Sequence, residues 1–217
     1  MSDTSPAGKP APVLHLGSLH DEQVEAWLRS GENEGALAAN FGEAEYRELR
    51  LLAEAAATRR VRGGPRVLIL PGIMGSKIGT PGRVNDDVLW LDPVEVIAGN
   101  LTDLALPRGR KLQPLGVMLF GYLKLKLSLQ LAGFDASFHP FDWRLGLDVL
   151  GKELGERIAG ERATSVRLVA HSMGGLVARA ALAGPGSKRI AQLIQLGTPN
   201  YGSFAPVQAL RATYPTV

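Results

Sequence analysis

A chain of 217 residues that is 45% hydrophobic and 21% charged has enough apolar surface for a core and is sized for one domain with a short appendage. A net charge of +3, no long Lys/Arg cluster and only 6% aromatic residues argue against a nucleic-acid partner. Cysteine is absent, which excludes disulfides and a thiolate nucleophile; MSDTSPAGKPAP lacks the apolar stretch of a signal peptide, no apolar run nears the roughly 20 residues that span a bilayer, and a cytoplasmic location is expected.

In chain order, residues 1–12, rich in Pro, Ser and Ala, predict a disordered tail. HDEQVEAWLRS (His20–Ser30) predicts a short helix with Asp21 and Glu22 at its positive N-terminal end. A second helix is expected over residues 36–60, where Leu37, Phe41, Leu49, Leu52 and Ala56 share a face and Arg59 and Arg60 close the C-terminal end. Gly63-Gly64-Pro65 then breaks the chain. Residues 1–62 therefore read as a tail plus helical extension with a packing or linking role and no chemistry, and residues 63–217 as an α/β domain.

RVLILPG (Arg66–Gly72) is a short aliphatic run closed by Pro-Gly, the pattern of a strand buried on both faces of a parallel sheet. FDASFHP (Phe134–Pro140), SVRLVAHS (Ser165–Ser172) and IAQLIQLGTP (Ile190–Pro199) predict three more strands, with helices over residues 146–160 and 175–183 between them. Strands alternating with helices imply parallel pairing through crossovers, hence an α/β sandwich. YLKLKLSLQLAGF (Tyr122–Phe134) alternates like a strand, but Leu119, Leu123, Leu127 and Leu131 also line one helical face and Gly133 sits at a C-cap position, so a helix is expected. IGTPGRVNDD (Ile78–Asp87) and LPRGRKLQP (Leu106–Pro114) read as loops, and the long stretch from Ile78 to Pro114 as a lid or binding segment.

LVAHSMGGLVARAAL (Leu168–Leu182) places one serine between an aliphatic strand and a helix. Ala170-His171-Ser172-Met173-Gly174 is a small-x-Ser-x-Gly turn, the nucleophile elbow, with Ala in place of the first glycine. Such a turn lifts Ser172 Oγ clear at the C-terminal edge of the sheet, where open α/β sheets bind ligands. It also aims the Met173 N–H at an attacked carbonyl, one oxyanion donor worth about 3 kcal/mol of transition-state stabilisation. A second donor is expected from the glycine-rich loop LPGIMGS (Leu70–Ser76), with the Ile73 N–H as candidate. The alternative for either stretch, a plain Ser-Gly or Pro-Gly turn, loses weight because the two occur together.

LILPGIMGSKI (Leu68–Ile78), FHPFDWRLG (Phe138–Gly146), LVAHSMGGLVAR (Leu168–Arg179) and LIQLGTPNYGS (Leu193–Ser203) resemble the lecithin:cholesterol acyltransferase family of α/β-hydrolases, and VLWLDP (Val88–Pro93) resembles the start of that family's cap. The resemblance implies a three-layer α/β-hydrolase-like sandwich with a mostly parallel sheet, and an esterase or acyl-transfer reaction on lipid-like esters. Carried over by motif, Ser172 is the nucleophile, and Ile73 and Met173 supply the oxyanion N–H groups. Asp142-Trp143-Arg144 reads as mainly structural, its charges satisfying each other or nearby backbone, with a substrate contact by Trp143 the lesser alternative. The reaction needs no metal and no cofactor.

In this fold the triad runs Ser, then Asp/Glu, then His. No Asp, Glu or His follows Ser172, and the four histidines are His15, His20, His139 and His171. His171 is expected to pack beneath the turn and His139 to sit in a loop, so neither offers a base. The family's two further strands would carry the acid and the histidine. The chain is therefore expected to be the N-terminal part of a hydrolase, a truncated product or half of a split protein, lacking the C-terminal strands. Its open sheet edge would invite pairing with a missing C-terminal portion or a second chain. Expected partners are a lipid or other ester substrate, with peripheral membrane contact and no nucleic acid. The competing expectation is a catalytically silent domain that binds a lipid or a protein.

Overall fold

A computed structural model describes residues 19–58, 64–83, 86–90, 99–106 and 111–211. The expected tail, Arg59 and Arg60, Gly63, and Leu91–Pro93 of the cap-like segment lie outside these residues.

Three helices come first: α1 (Asp21–Ser30), α2 (Glu34–Phe41) and α3 (Glu43–Thr58). The single helix expected over 36–60 is two helices, because Gly42, at φ 84° and ψ 146°, turns the backbone out of helical geometry. β1 (Arg66–Leu70) follows, then β2 (Ser76–Thr80), β3 (Asp87–Trp90) and β4 (Gln113–Val117). The second half alternates: α4 (Leu119–Leu131), β5 (Asp135–Phe138), α5 (Leu147–Gly160), β6 (Val166–His171), α6 (Met173–Ala181), β7 (Ile190–Leu196) and α7 (Ala205–Leu210).

The main sheet has strand order β5-β1-β6-β7 and is parallel throughout. Alternation along its strands feeds two cores. Val67, Ile69, Ala136 and Val169 pack with Val24 and Leu28 of α1, Tyr46 and Leu49 of α3, and Leu123 and Leu127 of α4. Leu68, Leu70, Val166, Leu168 and Ala170 pack against Leu150, Leu154 and Ile158 of α5 and Val177, Ala178 and Ala181 of α6. The result is three layers, α1–α4 on one face and α5–α6 on the other. The Leu-rich segment is helical, since Leu119, Leu123 and Leu127 all bury on one stripe.

The loop reading of 78–87 and 106–114 is corrected at their ends, where Ile78–Thr80, Asp87 and Gln113-Pro114 are strand; residues 84–85 and 107–110 lie outside the described residues. β2 is the centre of a three-stranded antiparallel sheet of order β3-β2-β4. Gly79, Pro114 and Gly116 disguised it, and the pairing slips register at Lys77/Ile78 and Ile78/Gly79. A Cβ at Gly79 would stand 2.2 Å from Asp87 O, so the strands approach only where that side chain is absent. Pro114 is tolerated because β4 is an edge strand.

Candidate active site

β6 delivers Ser172 to the C-terminal edge of the main sheet, and α6 begins one residue later. Ser172 holds φ 49° and ψ −121°, a conformation that costs a non-glycine residue on the order of 1–3 kcal/mol. Two backbone bonds hold it there: Ser172 N–H donates to Leu196 O (2.8 Å), and Gly175 N–H donates to Ser172 O (3.0 Å). The side chain is half-buried, and no described residue hydrogen-bonds to its Oγ.

The two glycines after Met173 answer to different neighbours. A Cβ at Gly174 would lie 2.4 Å from Pro71 O, so α6 rests on the loop after β1. A Cβ at Gly175 would lie 1.8 Å from Thr198 Oγ1 and 2.7 Å from its methyl, on the Gly-Thr-Pro turn after β7. Gly175→Ala therefore lowers stability by about 1–3 kcal/mol, because a β-branched side chain must be displaced. A shifted urea midpoint reads this; an unchanged midpoint contradicts the packing.

The loop after β1 is a tight turn. Gly75 N–H donates to Gly72 O (3.1 Å), and Met74 carries a positive φ of 60°. Three further bonds hold it: Trp90 Nε1 donates to Met74 O (2.9 Å), Met118 N–H to Gly75 O (2.9 Å), and Gly72 N–H to the Tyr122 hydroxyl (2.9 Å). Among the described residues, the N–H groups of Ile73, Met74 and Met173 have no hydrogen-bond acceptor. A Cβ at Gly72 would be 3.1 Å from Ser172 Cβ, so this glycine lets the loop backbone touch the serine. The turn thus brings Ser172 together with the loop that bears Ile73, between two stretches of backbone with free donors.

His171 does not pack beneath the turn. Alternation along β6 sends it, with Val169, toward α4, where it is exposed, tilts against the Tyr122 ring and places Nδ1 3.0 Å from the Tyr122 hydroxyl. His139 follows β5, is buried, and its Nδ1 lies 2.8 Å from an Arg157 Nη1. Burial first, and the Arg157 charge second, push its pKa down to about 3. It is neutral, with Nδ1 accepting from Arg157, and it lines no part of the cavity described next.

That cavity, about 460 Å³ and apolar, opens beside the loop after β1. Ile73, Met74, Trp90, Phe120, Tyr122 and Leu196 form much of its wall; Ser172 does not line it, but the preceding residue, His171, does. No spacing in the chain marks Trp90 or Tyr122 as part of the site. Asp142 and Arg144 do satisfy each other, Nε to Oδ1 at 2.8 Å and Nη2 to Oδ2 at 2.6 Å, while Arg144 Nη1 also donates to Leu104 O. Trp143 Nε1 donates to Ser76 O (3.1 Å), and its ring meets Trp90 edge-on at 5.4 Å.

Among the described residues no cluster of His, Asp or Glu is placed to hold a metal ion, and no helix is long and apolar enough to cross a membrane. No curated protein and no solved structure matches the chain. Over residues 156–214, which take in the elbow, α6, β7 and α7, it is similar to the PGAP1-like alpha/beta domain, an α/β-hydrolase-like family. With a four-stranded parallel sheet between helical layers and that match across its elbow, the chain has an α/β-hydrolase-like fold.

Proposed function

We propose that this is a serine lipase- or O-acyltransferase-type domain acting on lipid-like esters through an acyl-serine intermediate, as in the lecithin:cholesterol acyltransferase family its motifs resemble. One observation carries the reading: a strained Ser172 that touches the loop bearing Ile73, with the N–H groups of Ile73 and Met173 both without acceptors among the described residues. Ser172 Oγ adds to the ester carbonyl carbon and its proton passes to a base. The two N–H groups hold the oxygen that becomes negative. Collapse expels the alcohol, which takes up a proton, and water or a second alcohol then removes the acyl group from the serine.

The apolar cavity beside the loop suits a hydrocarbon chain. Phe120 (74% exposed), Ile73 (54%) and Met74 (48%) at its rim support contact with a lipid surface. Among the described residues, none hydrogen-bonds Ser172 Oγ as a base. β7 is an edge strand with Ile194 and Leu196 exposed, which supports pairing with a further strand, from a second chain or another part of the protein, that brings the histidine and acid.

A fluorophosphonate probe labels Ser172 in this reading, and Ser172→Ala abolishes both labelling and p-nitrophenyl ester turnover. Failure to label Ser172 in a preparation that includes the pairing partner overturns it. The unpartnered Oγ favours a second reading, a silent domain that binds a lipid or protein. Ester turnover that disappears with Ser172→Ala eliminates that one.

A further inference from the structure

We propose that Tyr122 is a positioning residue of this site: its hydroxyl ties the backbone of the Gly72–Gly75 turn to His171, the residue before the serine. The proposal rests on the reading of Ser172 as nucleophile.

Tyr122 stands on the first turns of α4, the helix whose Phe120 also lines the apolar cavity. Its hydroxyl accepts the Gly72 N–H at 2.9 Å and lies 3.0 Å from His171 Nδ1. A phenol has one proton to give. With Gly72 as donor, that proton is free for His171 Nδ1, a bond that selects the Nε2–H tautomer of the imidazole. The phenol is suited to remaining a donor, because burial raises its pKa above the ordinary tyrosine value.

The tie has a geometric consequence. Ile73 follows Gly72, and Met173 follows Ser172, so each candidate oxyanion donor lies one or two residues from an anchored position. The turn between Gly72 and Gly75 carries a positive φ at Met74, a non-glycine residue that relaxes elsewhere unless its surroundings hold it. Trp90 holds the far side of the turn through Met74 O. Only the Tyr122 hydroxyl, among the described side chains, bonds both the turn and the end of β6. Removing it leaves the turn attached but free to shift against the serine, and a misplacement of about 1 Å at a reacting centre costs on the order of 100-fold in rate.

Tyr122→Phe keeps the ring and its packing on His171 while deleting the hydroxyl. With p-nitrophenyl butyrate as the probe, kcat falls about 10- to 100-fold and KM stays within about twofold, the pattern of an interaction made for the transition state. The double variant Tyr122→Phe/His171→Ala is no slower than the worse single one, because both cut the same tie. Two readouts need no turnover: amide exchange at Gly72 quickens by about two- to tenfold, and the His171 ring ¹⁵N resonances move. An active wild-type chain in which Tyr122→Phe leaves kcat, Gly72 exchange and the His171 resonances unchanged overturns the positioning role and leaves the serine reading standing. A wild-type chain whose labelling and turnover do not depend on Ser172 overturns the serine reading, and the catalytic sense of the tie with it.

Discussion

Asp21→Ala destabilises the chain by about 3–5 kcal/mol, the range for breaking a buried ion pair by removing one partner. Asp21 and Lys77 are both buried, with Asp21 Oδ1 2.8 Å from Lys77 Nζ. Asp21 Oδ2 accepts the Val117 N–H at 2.9 Å, and Lys77 Nζ donates to Leu19 O at 2.8 Å. The pair thus clamps α1 onto β2 and β4. Gly116, opposite Lys77 in the ladder, makes room for it: a Cβ there would be 2.6 Å from Asp21 Oδ1. The truncation leaves an ammonium in a dry site with no counter-ion. Burial raises the Asp21 carboxyl above its usual range in spite of Lys77, so ionisation there costs stability as pH rises from 3.8 through the folded-state value. The ion pair is therefore not a net source of stability at neutral pH, and Asp21→Leu/Lys77→Met loses much less than either single change. Its residual cost is about 1–3 kcal/mol for the Val117 N–H left unsatisfied. Urea denaturation of the two single variants and the double one decides the matter; a single variant within about 1 kcal/mol of wild type contradicts the clamp.

This contact also marks where reading the chain stops being enough. The parallel sheet was legible because each of its inner strands is buried on both faces, and Val67–Leu70 and Leu168–Ala170 can only read as unbroken apolar runs. β2 and β4 were not. Their glycines and proline weaken the alternation, and the slips in register break what remains. Asp21 looked like an ordinary acidic residue in a first helical turn; that it reaches Lys77 depends on how α1 docks, which no local pattern encodes.

The site divides in the same way. The elbow and the Pro71–Gly75 loop were legible because both need residues without side chains at fixed places. The close approaches at Gly72, Gly174 and Gly175 are the physical cause of that requirement. Asp142 and Arg144 pair with each other as read, two residues apart. Tyr122 had no such signature. It sits in a Leu-Lys alternation, and its hydroxyl meets Gly72 and His171 only after α4 has packed on the sheet. His171 was misplaced because the turn at Ser172 was weighed without the alternation of β6 that precedes it.

Acid removes stability through His139. Its folded-state pKa of about 3 lies below the unfolded value of 6.5, with burial the main cause and the Arg157 charge the second. A group depressed on folding adds stability above its unfolded pKa, and that stability is lost as pH falls toward the folded value. The window is thus pH 6.5 down to about 3, with a slope of about 1.4 kcal/mol per pH unit for one proton and at most on the order of 4–5 kcal/mol in all. The geometry explains why the ring does not escape by accepting the proton early. Nδ1 faces an Arg157 Nη1 at 2.8 Å, and the proton of the neutral ring already sits on Nε2, buried without a partner among the described residues, so a second proton enters only at Nδ1, against a cation. Glu161 pairs with Arg157 at Nε (3.7 Å), not at the Nη1 that faces His139. His139→Asn keeps an acceptor for Arg157 and cannot titrate. Carboxylates elsewhere give both proteins the same background slope, so the difference between their urea-derived stabilities isolates this ring. That difference closes by about 1.4 kcal/mol per pH unit between pH 6 and pH 4. Parallel curves over that interval show that the ring takes up its proton without cost and that burial does not depress its pKa.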